Sequence, residues 1–473
     1  MTKDSANSTH PLRDLFNRMA SFETEENISL FEDEYGNSWP LFKFSIYQSY
    51  TLRYLDKNSL YLRIKKFINK RSRSLKSTDQ GREFIKSDKP SFFPNDIKEI
   101  WVSNYRNRKN ISDHYNKFID PYFNHFALSN AIIAEIENPS PYHFIQHPLL
   151  DNSVVFNMDL ELNAIQAQLD LGSPQLSAVT HFYTTIRKFN LLKLKKTFPE
   201  LNLFSAVYEY EVFKNHFSLY NALFYRFPKL ERCYLTSYYF ANQMGMIAAA
   251  NKSGIDTIDI QHGVQGKGHY AYSGWANIPK KGYLLLPSIF AVYSEKEKAL
   301  LDKEFKDSPI ESIIFGNKSH QYWSENRKQD QNDLSSNRRY ILYTLQNQLP
   351  DSEHFIWQAI PLLKEKNIEV LFRLHPAYPE LKDELSKMMV AIGVDSFLID
   401  QNEDVYDSLD SSFLHITQFS SSTLDALLLN VPSLLIDPRA KEYFNELLNE
   451  ENKLYYTPNL NDFMGRIDHL TRE

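Results

Sequence analysis

Two regions of the chain repeat one pattern, a short apolar run followed by a longer amphipathic one. In the first region "DIKEIWVSN" (96–104) predicts a strand that exits into the polar "YRNRKN", and "PYHFIQHP" (141–148) predicts a second, short strand. Residues 160–228 carry long helical patterns rich in Leu and Phe. "LERCYLTSYY" (230–239), the helix "FANQMGMIAAANKSG" and "IDTIDIQHG" then form a β-α-β unit, with Gly254 as the helix stop. Further strands are predicted in "GYLLLPSIFAVYS" (282–294) and "IESIIFGN" (310–317), with the helix "EKEKALLDKEF" between them.

The second region starts at "RYILYTLQ" (339–346), followed by a helix near 353–366, the strand "IEVLFRLHP" and the helix "ELKDELSKMMVAIG". The strand "FLHITQ", the helix "STLDALLLN", the strand "SLLID" and a terminal helix complete it. Strands alternating with helices of this length make parallel sheets covered on both faces. The polar stretch 318–339 has no apolar period and is expected to link the two. The predicted architecture is α/β: two Rossmann-like doubly wound domains facing across a cleft, with an N-terminal helical extension. The expected boundaries are 1–90 for the extension, 91–325 for the first domain and 335–473 for the second.

The extension is charged and irregular. "GNSWPLFKFSIYQSYTLRYL" (36–55) resembles a docking helix with aromatic anchors. "YLRIKKFINKRSRSLK" (61–76) holds seven basic residues and no acid. Such a run is either an arm for peripheral contact with anionic lipid or an anionic polymer, or a solvated helix with no partner.

Composition narrows the class. Apolar residues make up 42% and charged residues 24%, ordinary for a soluble protein. The formal charge of −6 gives no general attraction to nucleic acid. The single cysteine excludes an intramolecular disulfide framework and fits a reducing compartment. The first residues, "MTKDSANSTHPLRDLF", lack the apolar core of a signal peptide, and no window approaches 18 uninterrupted apolar residues. The expected location is therefore the cytoplasm, with peripheral contact at the inner face of the membrane through 61–76.

Candidate chemistry gathers at strand exits. In "VLFRLHPAYP" Pro376 keeps His375 extended at the carboxyl end of a parallel strand, the edge where doubly wound sheets bind ligands. Arg373, shortly before it, is expected to point to the opposite face. Further on, a strand leads into four consecutive hydroxyl residues, Ser420, Ser421, Ser422 and Thr423, and then an apolar helix. Hydroxyls there cap the helix, and its free N–H groups attract an anion. One serine suffices for a cap; four beside His375 point to a cradle for a mono- or diphosphate. "IDIQHG" likewise ends a strand, placing His262 at the edge of the first sheet. There Gly263, Gly266 and Gly268 let a ligand approach the backbone, and an imidazole suits removal of a hydroxyl proton. Asp259, the second candidate catalytic side chain, lies three residues earlier and is expected on the opposite face. Gln261, Gly263, His269 and Tyr272 are candidates for the acceptor side of the cleft. There is no GxGxxG, no GxxxxGK[ST] and no Cys/His cluster with metal-ligand spacing.

The "HP" pair with a later serine motif, in a two-Rossmann chain, is similar to the GT-B glycosyltransferases that use cytidine-activated donors. These include bacterial sialyl-, polysialyl- and Kdo transferases and, more distantly, the glycerol-phosphate transferases of teichoic acid synthesis. The resemblance spans about residues 230–440. It implies that His375 and Ser420 to Thr423 hold the phosphate of a CMP-linked nucleotide sugar, without a metal or other cofactor. It also implies that Asp425 takes the place of a ribose-contacting Glu and that His262 is a base. The acceptor implied is a surface polysaccharide, oligosaccharide or lipid-linked glycan. The first domain carries Gln-His-Gly where the teichoic acid enzymes have Trp-His-Gly-Thr. Three other readings are kept: a CDP-alditol phosphotransferase of teichoic-acid type, a nucleotide-sugar 2-epimerase, which shares the fold and a His-Pro, and a non-catalytic capsule-assembly protein.

Overall fold

The computed structural model describes residues 11–25, 28–51, 96–104, 116–128, 130–137, 144–146, 154–265, 269–326, 340–376, 378–402 and 404–472. The basic run 61–76, Gly266, Gly268 and most of the expected linker lie outside these residues. The chain divides into two compact units. The first comprises residues 1–262 and 270–319, the second 263–269 and 320–473.

The sheet of the first unit is built from β1 (Glu99–Asn104), β2 (Ala131–Ile136), β3 (Phe144–Gln146), β4 (Val154–Asn157), β5 (Arg232–Leu235), β6 (Asp256–Ile260), β7 (Ile289–Val292) and β8 (Glu311–Ile314). Its strand order is β8-β7-β6-β5-β1-β2-β4-β3. All pairings are parallel except that of β3 with β4. Side chains alternate between two apolar layers, as a sheet covered on both faces requires. Ile100, Val102, Cys233, Leu235, Phe290 and Val292 enter one layer, while Trp101, Tyr234, Ile258, Ile260 and Ala291 enter the other.

The first layer is closed by the helices Leu203–Phe224 and Ala241–Lys252. Their backbones approach so closely at Gly245 that a Cβ there would lie 2.8 Å from the Phe213 carbonyl oxygen. The helices Pro11–Glu25 and Trp39–Tyr50 belong to this same layer, through Leu12, Leu15, Phe16, Trp39, Phe42 and others. The described part of the expected extension is thus integral to the first unit.

Burial fixes that packing with an ion pair. Lys43 Nζ lies 3.2 Å from Glu23 Oε1, donates to the Gly274 carbonyl at 2.6 Å and stands 3.6 Å from the centre of the Trp275 ring. Glu23 also accepts from Trp39 Nε1 at 2.8 Å and from the Ala276 N–H at 2.7 Å. Desolvation lowers the Lys43 pKa, and the Glu23 carboxylate opposes that shift.

The sheet of the second unit contains β9 (Tyr340–Thr344), β10 (Glu369–Arg373), β11 (Leu398–Ile399), β12 (Ser412–Thr417), β13 (Ser433–Leu435) and β14 (Leu454–Tyr456), all parallel. Its order, β11-β10-β9-β12-β13-β14, is the 3-2-1-4-5-6 order of a dinucleotide-binding sheet. Ile341, Tyr343, Phe372, Ile416 and Leu434 face one layer; Leu342 and Leu371 face the other with Leu409, Ala426 and Val431. The expected linker begins as a helix, Lys318–Asn326, because two aromatic residues tie it to this unit. Trp323 Nε1 donates to Asp407 Oδ1 at 2.8 Å, and His320 and Trp323 pack on the Tyr406 ring. Both units are Rossmann-like, of the kind that GT-B chains contain in pairs.

Candidate functional site

In the second unit the strand order reverses between β9 and β12, so the crevice for a ligand opens at their carboxyl ends. Fully buried His415 organises the polar groups below that crevice. Its Nε2 lies 2.9 Å from Thr344 Oγ1 and 3.3 Å from Ser422 Oγ, and its Nδ1 lies 3.0 Å from Ser433 Oγ. Thr344 Oγ1 and Ser422 Oγ are themselves 3.0 Å apart. Burial pushes the His415 pKa down to about 3, so the ring is a neutral connector of β9, β12, β13 and the next helix.

That arrangement divides the four hydroxyl residues. Ser422 is turned inward to Thr344 and His415, and Thr423 Oγ1 is buried with no hydrogen-bond partner among the described residues. Ser420 is half-buried and Ser421 exposed. The cap also differs from the expected one. Ser421, at the N-cap of the helix Ser422–Leu428, makes no side-chain cap, whereas Ser420 Oγ accepts from the Ser422 N–H at 3.2 Å. Two of the four hydroxyl residues, Ser422 and Thr423, are therefore buried, and Ser420 and Ser421 are the more exposed pair. Asp425 lies in the first turn of the same helix, half-buried.

His375 is exposed just past the end of β10, with its ring 5.3 Å from that of Tyr378. It shares the carboxyl edge with Ser420 and Ser421, two strand spacings or about 10 Å away. Arg373 is the last residue of β10. Strand positions two apart share a face, but β10 ends at Arg373 and that alternation does not carry to His375. The guanidinium is instead held by Asp400, by the Asn402 carbonyl at 2.9 Å and by Ser408 Oγ at 3.1 Å. It joins the ends of β10 and β11.

Sequence reasoning missed Arg439 at this edge. Its guanidinium lies 4.0 Å from the centre of the Phe419 ring, immediately before Ser420, and it is paired with Asp437 at 2.7 Å. The "IDPR" that exits β13 was the available signal. Gly263 and Val264 also belong to the second unit. A Cβ at Gly263 would meet Ser421 at an ordinary 3.4–3.6 Å, so the protein's own packing does not require glycine there.

In the first unit the order reverses between β1 and β5, and the turn leaving β5 supplies a residue that sequence reasoning did not select. Ser237 has φ of +60°, in the left-handed region. Its Oγ lies 2.9 Å from His262 Nε2, and Tyr239 Oη lies 3.4 Å from the same nitrogen. The Nδ1 of His262 is buried without a well-formed hydrogen bond among the described residues. Desolvation lowers the His262 pKa to about 4, against a smaller raising contribution from the Ile260 backbone. The ring is thus neutral at physiological pH, and Ser237 and Tyr239 converge on its Nε2.

Asp259 lies within β6 and is bound to Tyr238 and Tyr272, whereas His262 is bound to Ser237 and Tyr239. It is fully buried, accepts from Tyr272 Oη at 2.9 Å and from the Tyr238 N–H at 3.2 Å, and is pushed up to about 7 by desolvation. Its hydrogen bonds hold the loop of Tyr272 against the sheet, so neither Asp259 nor Tyr272 presents a free polar group to a ligand. Gln261 is also structural: buried, it accepts from the Tyr293 N–H at 2.7 Å and joins β6 to β7. His269 is half-buried and belongs to the second unit. Among the described residues no group of His, Cys, Asp or Glu is arranged to hold a metal ion, and no helix is long and apolar enough to cross a membrane.

No protein-family model matches the chain. No curated protein matches it. Solved structures do. The UDP-GlcNAc 2-epimerase of Methanocaldococcus jannaschii, in complex with UDP-GlcNAc and UDP, is similar at 12% identity and TM-score 0.46, over 80% of this chain and 93% of that one. The UDP-N-acetylglucosamine 2-epimerase of Rickettsia bellii is similar at 12% identity and TM-score 0.46, over 80% of this chain and 88% of that one. Anabaena Alr3699/HepE in complex with UDP is similar at 10% identity and TM-score 0.38, over 80% of this chain and 90% of that one.

Proposed function

We propose that the protein is a glycosyltransferase that takes a sugar from a nucleotide-activated donor bound by the second unit. The observation that carries this reading is the switch point of the 3-2-1-4-5-6 sheet, with the half-buried Ser420 and exposed Ser421 just past the end of β12 and Ser422 bound inward to His415. Ser420, Ser421 and the exposed His375 hold the donor phosphate, and His375 stabilises charge on it as it departs. In the first unit the neutral Ser237–His262 pair accepts the proton of the attacking hydroxyl of a glycan acceptor. The resemblance of the "HP" and serine motifs favours a cytosine base. A uracil base is the competing assignment, because two of the similar solved structures are UDP complexes.

The second reading is a nucleotide-sugar 2-epimerase, the activity printed for two of the similar structures. Product analysis separates the two. The chain is incubated with CMP- and UDP-linked sugars, with and without a glycan acceptor, and the sugars are resolved by chromatography. A transferase releases free nucleotide only with acceptor, whereas an epimerase inverts the intact nucleotide sugar without one.

A further inference from the structure

Three short consecutive helices of the first unit, Pro174–Thr180, Phe182–Lys188 and Leu191–Thr197, bury their inner faces through Ala178, Ile186, Leu191 and Leu194. Their outer faces mix polar residues with large apolar ones. Leu176 is 65% exposed, Val179 64%, Tyr183 80% and Leu192 57%, and Phe204 at the start of the neighbouring long helix is 48% exposed. Single exposed apolar residues are ordinary on a soluble protein, but here four fall within seventeen residues of sequence, and Tyr183 and Phe204 both pack on Phe182. The Phe182 ring lies 5.5 Å from Tyr183 and 6.2 Å from Phe204, and Gln175 Nε2 donates to Tyr208 Oη at 3.4 Å. The first two helices therefore both rest on the opening turns of Leu203–Phe224.

Charge on this segment has one sign. Between Leu171 and Pro199 the chain carries Arg187, Lys188, Lys193, Lys195 and Lys196 and no Asp or Glu. Lys188 is paired with Asp33 and Glu34, and Lys195 donates to the Pro199 and Leu201 carbonyls. Arg187 and Lys196 are exposed and have no ion-pair partner among the described residues. Each lies one turn after an exposed apolar residue, Tyr183 and Leu192.

We propose that this face docks the protein on an anionic membrane surface. Leu176, Val179 and Tyr183 enter the boundary between headgroups and acyl chains, while Arg187 and Lys196 meet lipid phosphates. Helices that lie in the interface combine large apolar side chains with cations in this way.

The test is co-sedimentation of the full chain with vesicles of phosphatidylcholine, with and without about one third phosphatidylglycerol, at about 0.1 M salt. The expected result is binding to the anionic vesicles only. Each cation at such a surface contributes about fivefold to partitioning, so R187Q/K196Q should weaken binding about 30-fold. L176S/V179S/Y183S should abolish it. Neither variant alters a buried contact, and unchanged melting temperatures would verify that both are folded. Absence of vesicle binding overturns the proposal, as does binding that both variants retain but that is lost when the bases of 61–76 are replaced. Self-association that only L176S/V179S/Y183S dissolves, without vesicle binding, also overturns it and assigns the face to a second copy of the chain.

Discussion

Acidification should loosen the second unit while leaving the first almost unaffected. His415 is fully buried, and desolvation holds its pKa at about 3, against an ordinary value of 6.5. A depressed folded pKa contributes stability that is complete above the unfolded value and is lost as pH falls toward the folded one. Each pH unit in that interval is worth about 1.4 kcal/mol, so moving from about pH 7.5 to about pH 4.5 removes about 3 kcal/mol from the second unit. The first unit holds two opposed groups. His262, lowered to about 4, loses stability over the same range. Asp259, raised to about 7 from 3.8, contributes stability that is present at low pH and lost as pH rises, so acid relieves it. The two changes are each about 3 kcal/mol and nearly cancel. Urea titration at both pH values, read by pulse hydrogen exchange and mass spectrometry, separates the units. For an m-value of about 2 kcal/mol/M, peptides from β9 and β12 should shift their midpoint down by about 1.5 M, and peptides from β5 and β6 by much less. In H415N, which cannot titrate, the shift should disappear, with a lower midpoint at neutral pH. Equal midpoints for β12 at both pH values, or a full shift in H415N, would refute the reasoning.

Other predictions follow from particular contacts. Lys43→Met should cost about 3–5 kcal/mol, because Glu23 is left buried without its partner, and the double variant K43M/E23Q should recover much of it; urea midpoints of first-unit peptides decide this. Ser237→Gly and Ser237→Ala both lose the hydrogen bond to His262, but glycine alone relieves the positive φ, so S237G should be more stable than S237A by about 1 kcal/mol. Equal stability would mean that the turn is unstrained. His375→Ala should lower kcat with the melting temperature unchanged, because the side chain is exposed. Full turnover in H375A would remove it from the donor site.

The residues show what was readable before the fold was known. The strands that exit into candidate chemistry, β6, β10 and β12, are short, and each lies, to within a residue, inside the stretch where it is predicted. The expectation named none of β2, β4, β11 and β14. "AIIAEI" includes Glu135, which is buried beside Ser103 Oγ at 3.3 Å, and an acid inside a strand disguises it. The charged character of the first 50 residues hid their place in the core, because Lys43 and Glu23 pair with each other there and not with water. At the sites, strand exits located His262 and the serines. What a linear pattern does not contain is direction across strands: that Ser237 leaves β5 toward His262, that His415 turns Ser422 inward, and that Asp400 draws Arg373 away.

The central claim is that Ser420 and Ser421 hold a nucleotide phosphate while Ser422 supports the fold. Isothermal titration of CMP, CDP and UDP, without metal, into the wild-type chain, S420A/S421A and S422A tests it directly. At least one nucleotide should bind the wild type. S420A/S421A should weaken that binding about tenfold at unchanged stability, because hydroxyls that donate to an anion are lost. S422A should cost stability, about 1–2 kcal/mol, through Thr344 and His415. If no nucleotide binds the folded chain, or if S420A/S421A binds as the wild type does, the phosphate site is not at this switch point.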